Sequence, residues 1–158
     1  MVKEASETRG ILSEFREAES LTELALKVID AREECHHIDP NEILFLQELE
    51  TRPNAAAKTF NLQQHPMQFY TDKKYCIVFY EANIDYYSLE QKALLMFHEL
   101  LHIPAIGRRL VDHDIKDFFD VLSLGIDWSF PGAQVPDILK PEEKIEVGDS
   151  QISKPDCC

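Results

Sequence analysis

No apolar run in the sequence approaches the roughly 18 residues that a membrane-spanning helix needs, so no transmembrane segment is expected. The opening residues Met1-Val2-Lys3-Glu4-Ala5-Ser6-Glu7 are polar and acidic and lack the apolar centre of a secretory signal. A cytoplasmic location is the simplest expectation. Cysteine is sparse. Cys35, Cys76, Cys157 and Cys158 show no C-x-x-C spacing and no disulfide-framework density, as in a reducing compartment. The terminal Cys157-Cys158 pair lacks the polybasic stretch that accompanies a lipid anchor. Basic residues are also short: 16 Lys and Arg against 29 Asp and Glu leave a net charge of −13 and a pI near 4.8. Such a field opposes binding to nucleic acid or anionic membranes, and neither is expected as a partner. No internal repeat is visible.

What remains is a chain of 158 residues, 44% hydrophobic, which is one domain with a real core. Residues 1–19 read as a loosely ordered segment, 20–139 as the folded domain and 140–158 as a disordered acidic tail rich in Lys, Glu, Pro, Asp and Ser. Leu21, Leu24, Ala25, Val28 and Ile29 recur at helical spacing, with Ser20 placed to cap and an end near Glu34. Ile43-Leu44-Phe45-Leu46 reads as a short buried strand. Ala55 to Phe60 fits a helical turn or an extended piece equally well. Tyr75-Cys76-Ile77-Val78-Phe79-Tyr80, β-branched and aromatic, is the strongest strand. Asp112 is placed as the cap of a later helix whose face is Ile115, Phe118, Phe119 and Leu122, with Gly125 as its stop. Trp128 to Pro136 reads as irregular. Helices and strands in this order make an α+β fold.

The chain is organised around Phe97-His98-Glu99-Leu100-Leu101-His102-Ile103. Ser88 followed by Gln91 reads as a capping box that starts a helix, and Pro104 closes it. Ala93, Met96, Phe97, Leu100 and Ile103 fall on one arc of that helix, and His98, Glu99 and His102 on the other. Residues four apart on a helix lie one above the other, so His98 and His102 present two imidazoles to one ion. Zinc accepts such nitrogens and keeps an open position in catalytic sites; Cu, Ni and Fe also suit imidazole. Glu99 is turned about 100° around the axis from His98, where its carboxylate reaches an attacking water as general base. The motif as a whole is a His-Glu-x-x-His metal helix.

Two histidines do not complete a catalytic zinc site. His113 is the leading third ligand, with Asp112, Asp114, Asp117 and His65 as rivals. Asp117 is also placed to accept the free ring N–H of a ligating histidine and so orient it. An objection to His113 is that, inside a helix, it would point away from the apolar face. The loop pair His36-His37 is expected to be solvated. Tyr86, Tyr87, Arg108 and Arg109 are within reach as oxyanion donors, each more simply surface or structural. Cys76 could in principle supply the sulfur ligand of a deformylase-like site, although the surrounding motif is missing.

The stretch from about Ile43 to Gly125 resembles the putative phage-type metallopeptidase family. The features that carry the resemblance are Ile43–Leu46 followed by Asn54-Ala55-Ala56-Ala57, the strand Cys76–Tyr80, Leu89-Glu90-Gln91-Lys92, and above all His98-Glu99-Leu100-Leu101-His102-Ile103-Pro104 with a Gly/Arg loop and His113. The resemblance implies a zincin-like single domain, a small mixed sheet packed on a buried metal-binding helix and flanked by further helices. It implies one Zn²⁺ held by His98, His102 and His113, Glu99 as base, and a peptide or protein substrate. The alternatives are a zincin-like binding module that cleaves nothing and a zinc hydrolase of non-peptide substrates.

Overall fold

The computed structural model describes residues 14–50, 53–114 and 117–140. In chain order the elements are β1 (Phe15–Glu17), α1 (Glu19–Ala31), β2 (Ile43–Glu48), β3 (Ala57–Asn61), β4 (Tyr75–Tyr80), α2 (Leu89–Leu101) and α3 (Phe119–Leu122), with short 3-10 turns between them. The strands form one mixed sheet in the order β1-β2-β4-β3. β2 and β4 pair in parallel from Ile43 opposite Tyr75 to Glu48 opposite Tyr80. β1 adds antiparallel to β2, and β3 antiparallel to β4, with Thr59 opposite Ile77. The domain is therefore α+β, as its sequence implies.

β4 is central and buried on both faces, which is why its sequence runs apolar without alternation. Tyr75, Ile77 and Phe79 join Ile43 and Phe45 of β2 in the main core, where they meet Leu21, Ala25 and Val28 of α1 and Leu94, Phe97 and Leu100 of α2. Cys76 and Val78 point to the opposite face and form a smaller cluster with Leu62. Both long helices thus share one face of the sheet.

Three expectations are corrected, and one left open is decided. Phe15–Glu17 lie inside the segment read as loose, yet they form β1; its side chains are all exposed, so backbone pairing alone holds it and no side-chain pattern betrays it. α1 starts at Glu19 without a side-chain cap, and Ser20 lies inside it. The Ala18 N–H donates to Phe45 O at 3.2 Å, so the pairing with β2 sets the start. The ambiguous stretch before Phe60 is extended, as β3. The later helix shrinks to the four residues of α3. Asp114 accepts from the Phe119 N–H at 2.9 Å and Asp117 from the Phe118 N–H at 2.7 Å. Short acceptors of this kind compete with helical bonding. The buried side chains there are Phe118 and Val121, while Phe119 is 59% exposed. Ile115, residues 1–13 and the tail from 141 to 158, with Cys157 and Cys158, lie outside the described residues.

Candidate metal centre

α2 begins on the capping box the sequence announces. The Gln91 N–H donates to Ser88 Oγ at 3.2 Å, and the Ser88 N–H to Gln91 Oε1 at 3.0 Å. The helix ends at Leu101, and His102 keeps αR backbone angles at its cap. His98 and His102 therefore stay one turn apart on one side. His113 comes from the irregular chain beyond, so the objection about its direction inside a helix does not arise. That chain is pinned to α2: the Val111 N–H donates to His102 O at 2.8 Å.

The three imidazoles converge. His113 Nε2 lies 2.9 Å from His98 Nε2 and 3.1 Å from His102 Nε2. The Nδ1 atoms of the helix pair face outward, His98 to Asp117 Oδ1 at 2.5 Å and His102 to Val111 O at 2.7 Å. A carboxylate and a carbonyl only accept, so both Nδ1 atoms carry hydrogen and, in the neutral rings, both Nε2 atoms present lone pairs. One hydrogen on His113 Nε2 satisfies only one of its two contacts, whereas a cation satisfies all three donors. Nitrogens bound tetrahedrally at roughly 2.05 Å lie about 3.3 Å apart, close to the spacing seen. The donor set thus fits a metal ion; among the described residues these three histidines form the one such group.

The surroundings favour neutral rings at His102 and His113. Burial lowers the pKa of His102, and the His98 and His113 charges add to this, against the Val111 carbonyl that raises it. Burial and His98 likewise lower that of His113. Burial raises Asp117, but the bonds from His98, Trp128 and the Phe118 N–H outweigh it and hold the carboxyl below the usual range. The Trp128 indole donates to Asp117 Oδ2 at 2.8 Å. Phe118 sits edge-on to all three rings, with centroids 5.3, 4.9 and 5.2 Å from His98, His102 and His113.

Glu99 departs from its expected place on a polar arc. It is 3% exposed, because β3 packs across this half of α2. Thr59 Oγ1 donates toward Glu99 Oε2 at 2.7 Å and lies 3.0 Å from Glu99 O. Burial raises the Glu99 pKa, offset in part by the His98 charge and the Thr59 bond.

The other candidates lie elsewhere. His65 packs against Phe69 in an exposed turn, centroids 5.1 Å apart. Asp114 caps the Phe119 N–H, and Asp112 pairs loosely with Arg109 at 3.5 Å on the open surface. His36 and His37 are exposed, as expected, and also bond the carbonyls of Asp30 and Ile103 at 3.3 and 2.9 Å. Tyr87 packs on Trp128, centroids 6.2 Å apart, and burial pushes its phenol up to about 12. The exposed Tyr86 hydroxyl reaches Ser129 O at 3.5 Å. Arg108 and Arg109 line a pocket of about 410 Å³ with Asn61, Gln63, Gln64 and Asp112. Cys76 points to the sheet face away from α2, and burial pushes its thiol up to about 11; it is no ligand of this centre. Thr59, Phe118 and Trp128 escaped sequence reasoning as parts of the site, since only tertiary contact brings them to it.

Fold and centre together define a small α+β domain with three histidines, two of them from one helix, disposed to hold a metal ion. The sequence model of the putative phage metallopeptidase family matches residues 13–140, and the chain belongs to that family. Searches of curated proteins and of solved structures returned no match. No helix among the described residues is long and apolar enough to cross a membrane.

Proposed function

We propose that the protein is a zinc-dependent peptidase of zincin type, with His98, His102 and His113 as ligands of one Zn²⁺ and Glu99 as general base. The observation that carries this reading is the convergence of three imidazole nitrogens, with the buried Glu99 next to His98 on the same helix, in a chain of a metallopeptidase family. Bound there, the ion supplies Lewis acidity, which lowers the pKa of water to about 7 and polarises the scissile carbonyl. Glu99 accepts the proton of the attacking water and returns it to the leaving amine. Its raised pKa suits both halves of that task. Asp117 and the Val111 carbonyl hold His98 and His102 in the tautomer that leaves Nε2 free.

The substrate is an extended peptide or protein segment. β3 ends the sheet, and Thr59 on it touches Glu99. A peptide that adds alongside β3 as a further strand passes next to the base. The buried, unpaired thiols of Cys35 and Cys76 fit a cytoplasmic protein, and the net charge of −13 is against nucleic acid as a partner.

The test is metal content and cleavage of an unstructured protein substrate by wild type, His98→Ala, His113→Ala and Glu99→Gln. One equivalent of zinc in wild type and Glu99→Gln, loss of zinc in both histidine variants, and turnover in wild type alone are expected. Turnover by Glu99→Gln at the wild-type rate, or full zinc affinity in His113→Ala, sinks the assignment.

A further inference from the structure

The first helical turn of α2 is wired to its last. Gln91, 2% exposed, spends its side-chain carbonyl on the capping box. Its amide leaves the helix altogether and donates to Trp128 O at 2.9 Å and Phe130 O at 3.1 Å. Trp128 is the single tryptophan of the chain and is 6% exposed. Its indole N–H occupies Asp117 Oδ2 at 2.8 Å, which leaves Oδ1 for His98 Nδ1 at 2.5 Å and the Phe118 N–H at 2.7 Å. The circuit therefore runs from Gln91 through Trp128 and Asp117 back to His98 on the same helix. Asp117 belongs to irregular chain and has no helix or strand to orient it. Without the indole, the Phe118 N–H and His98 hold that carboxylate by Oδ1 alone, and its second oxygen has lost its fixing donor. A buried indole N–H and a buried amide both need acceptors, and here those acceptors are the carboxylate that partners His98 and the chain that carries the indole.

We infer that Trp128, held by Gln91, is a positioning residue that fixes the Asp117 carboxylate and through it the orientation of the His98 ring, and so sets the affinity of the three-histidine centre for metal. The inference rests on the zinc-site reading above. It says more than that reading, because it places the control of affinity in residues that touch no metal.

The experiment measures zinc affinity of the full chain by competition with a chromophoric chelator, for wild type, Trp128→Phe, Gln91→Glu and Tyr87→Phe. Partners one shell beyond a ligand are worth about 10–100-fold in metal affinity. Trp128→Phe is expected to weaken binding by about 10-fold, at the lower end because it acts through Asp117. Gln91→Glu keeps the capping carboxyl oxygen, loses both amide donors, and is expected to weaken binding in the same direction. Tyr87→Phe, which alters a neighbour of Trp128 outside the circuit, is expected to bind as wild type does. In metal-free wild type, long-range ¹H–¹⁵N spectra should show His98 as the Nδ1–H tautomer with a strongly hydrogen-bonded proton, and that proton should shift upfield in Trp128→Phe as the bond to Asp117 loosens. Wild-type affinity in Trp128→Phe overturns the inference. Should Trp128→Phe fail to fold by circular dichroism, wild-type affinity in Gln91→Glu overturns it instead, as do mixed His98 tautomers in the wild type. Absence of zinc binding in wild type is a different failure, that of the metal reading itself, and it takes this inference with it.

Discussion

Thr59→Val in the metal-free protein isolates one bond at the heart of the centre. Valine nearly keeps the shape of threonine and removes the hydroxyl that donates to Glu99 Oε2 at 2.7 Å. Both residues are buried, at 7% and 3% exposure, so water does not replace the lost donor. A hydrogen bond to a charged group contributes about 1.5–3 kcal/mol, and one between neutral groups about 0.5–1.5 kcal/mol. With Glu99 ionised, the substitution should therefore cost about 1.5–3 kcal/mol, which lowers the Tm of a chain this long by about 3–12 °C. With Glu99 neutral, the cost should fall to roughly half. Thermal unfolding followed by circular dichroism at pH 8 and in acid, and again in a Glu99→Gln background, measures both limits. The loss should be largest for the ionised carboxylate and should shrink in the Gln background. Equal losses in all settings would mean that Thr59 and Glu99 are merely neighbours, and no loss would refute the bond.

Two further outcomes follow from the same geometry. The Glu99 pKa is raised by burial, so between its unfolded and folded values the folded state binds more protons than the unfolded one, and stability falls as pH rises through that window. Metal-free Glu99→Gln should lack this decline, melting above wild type at neutral pH and converging with it in strong acid; calorimetry across pH checks it, and a wild type that gains stability through that window contradicts the burial argument. Asp117→Ala removes the partner of His98 Nδ1 and should weaken zinc binding about 10–100-fold, read by chelator competition; an unchanged affinity would mean that His98 needs no partner.

The parts of the molecule legible in the sequence are those whose signal is local. α2 declares itself through Ser88 and Gln91, through its apolar spacing and through its two histidines, and β4 through six consecutive β-formers. His113 was legible too, as a metal-binding residue type at a workable distance in sequence. The illegible parts depend on partners far along the chain. β1 exists only because β2 offers it a backbone edge, and its exposed Phe15, Arg16 and Glu17 carry no pattern. The helix drawn from Asp112 onward rested on a real apolar periodicity, but Asp114 and Asp117 bond the amides of Phe119 and Phe118 instead, and His102 draws the preceding chain to itself. Glu99 looked polar-facing because a helical wheel cannot know that an edge strand will cover that arc. Trp128 sits in a stretch without periodicity, so nothing nearby marks its reach to Asp117.

The three donors differ in what holds them. His98 and His102 ride on α2, packed on the sheet beside α1, while His113 sits in a loop whose residues Ile106 and Arg109 stand almost wholly in solvent. Two thirds of the centre is thus carried by a helix, and the last third by a loop held through the Val111 N–H on His102 O and the Asn61 amide on Arg108 O. A variant that loses that order must regain it when an ion binds, so affinity is tunable from outside the coordination sphere. Loop length and stiffness between Pro104 and His113 act on it as directly as the histidines do. A change that stiffens the loop should tighten metal binding and slow exchange of the ion, and one that loosens it should leave occupancy following the free metal around it.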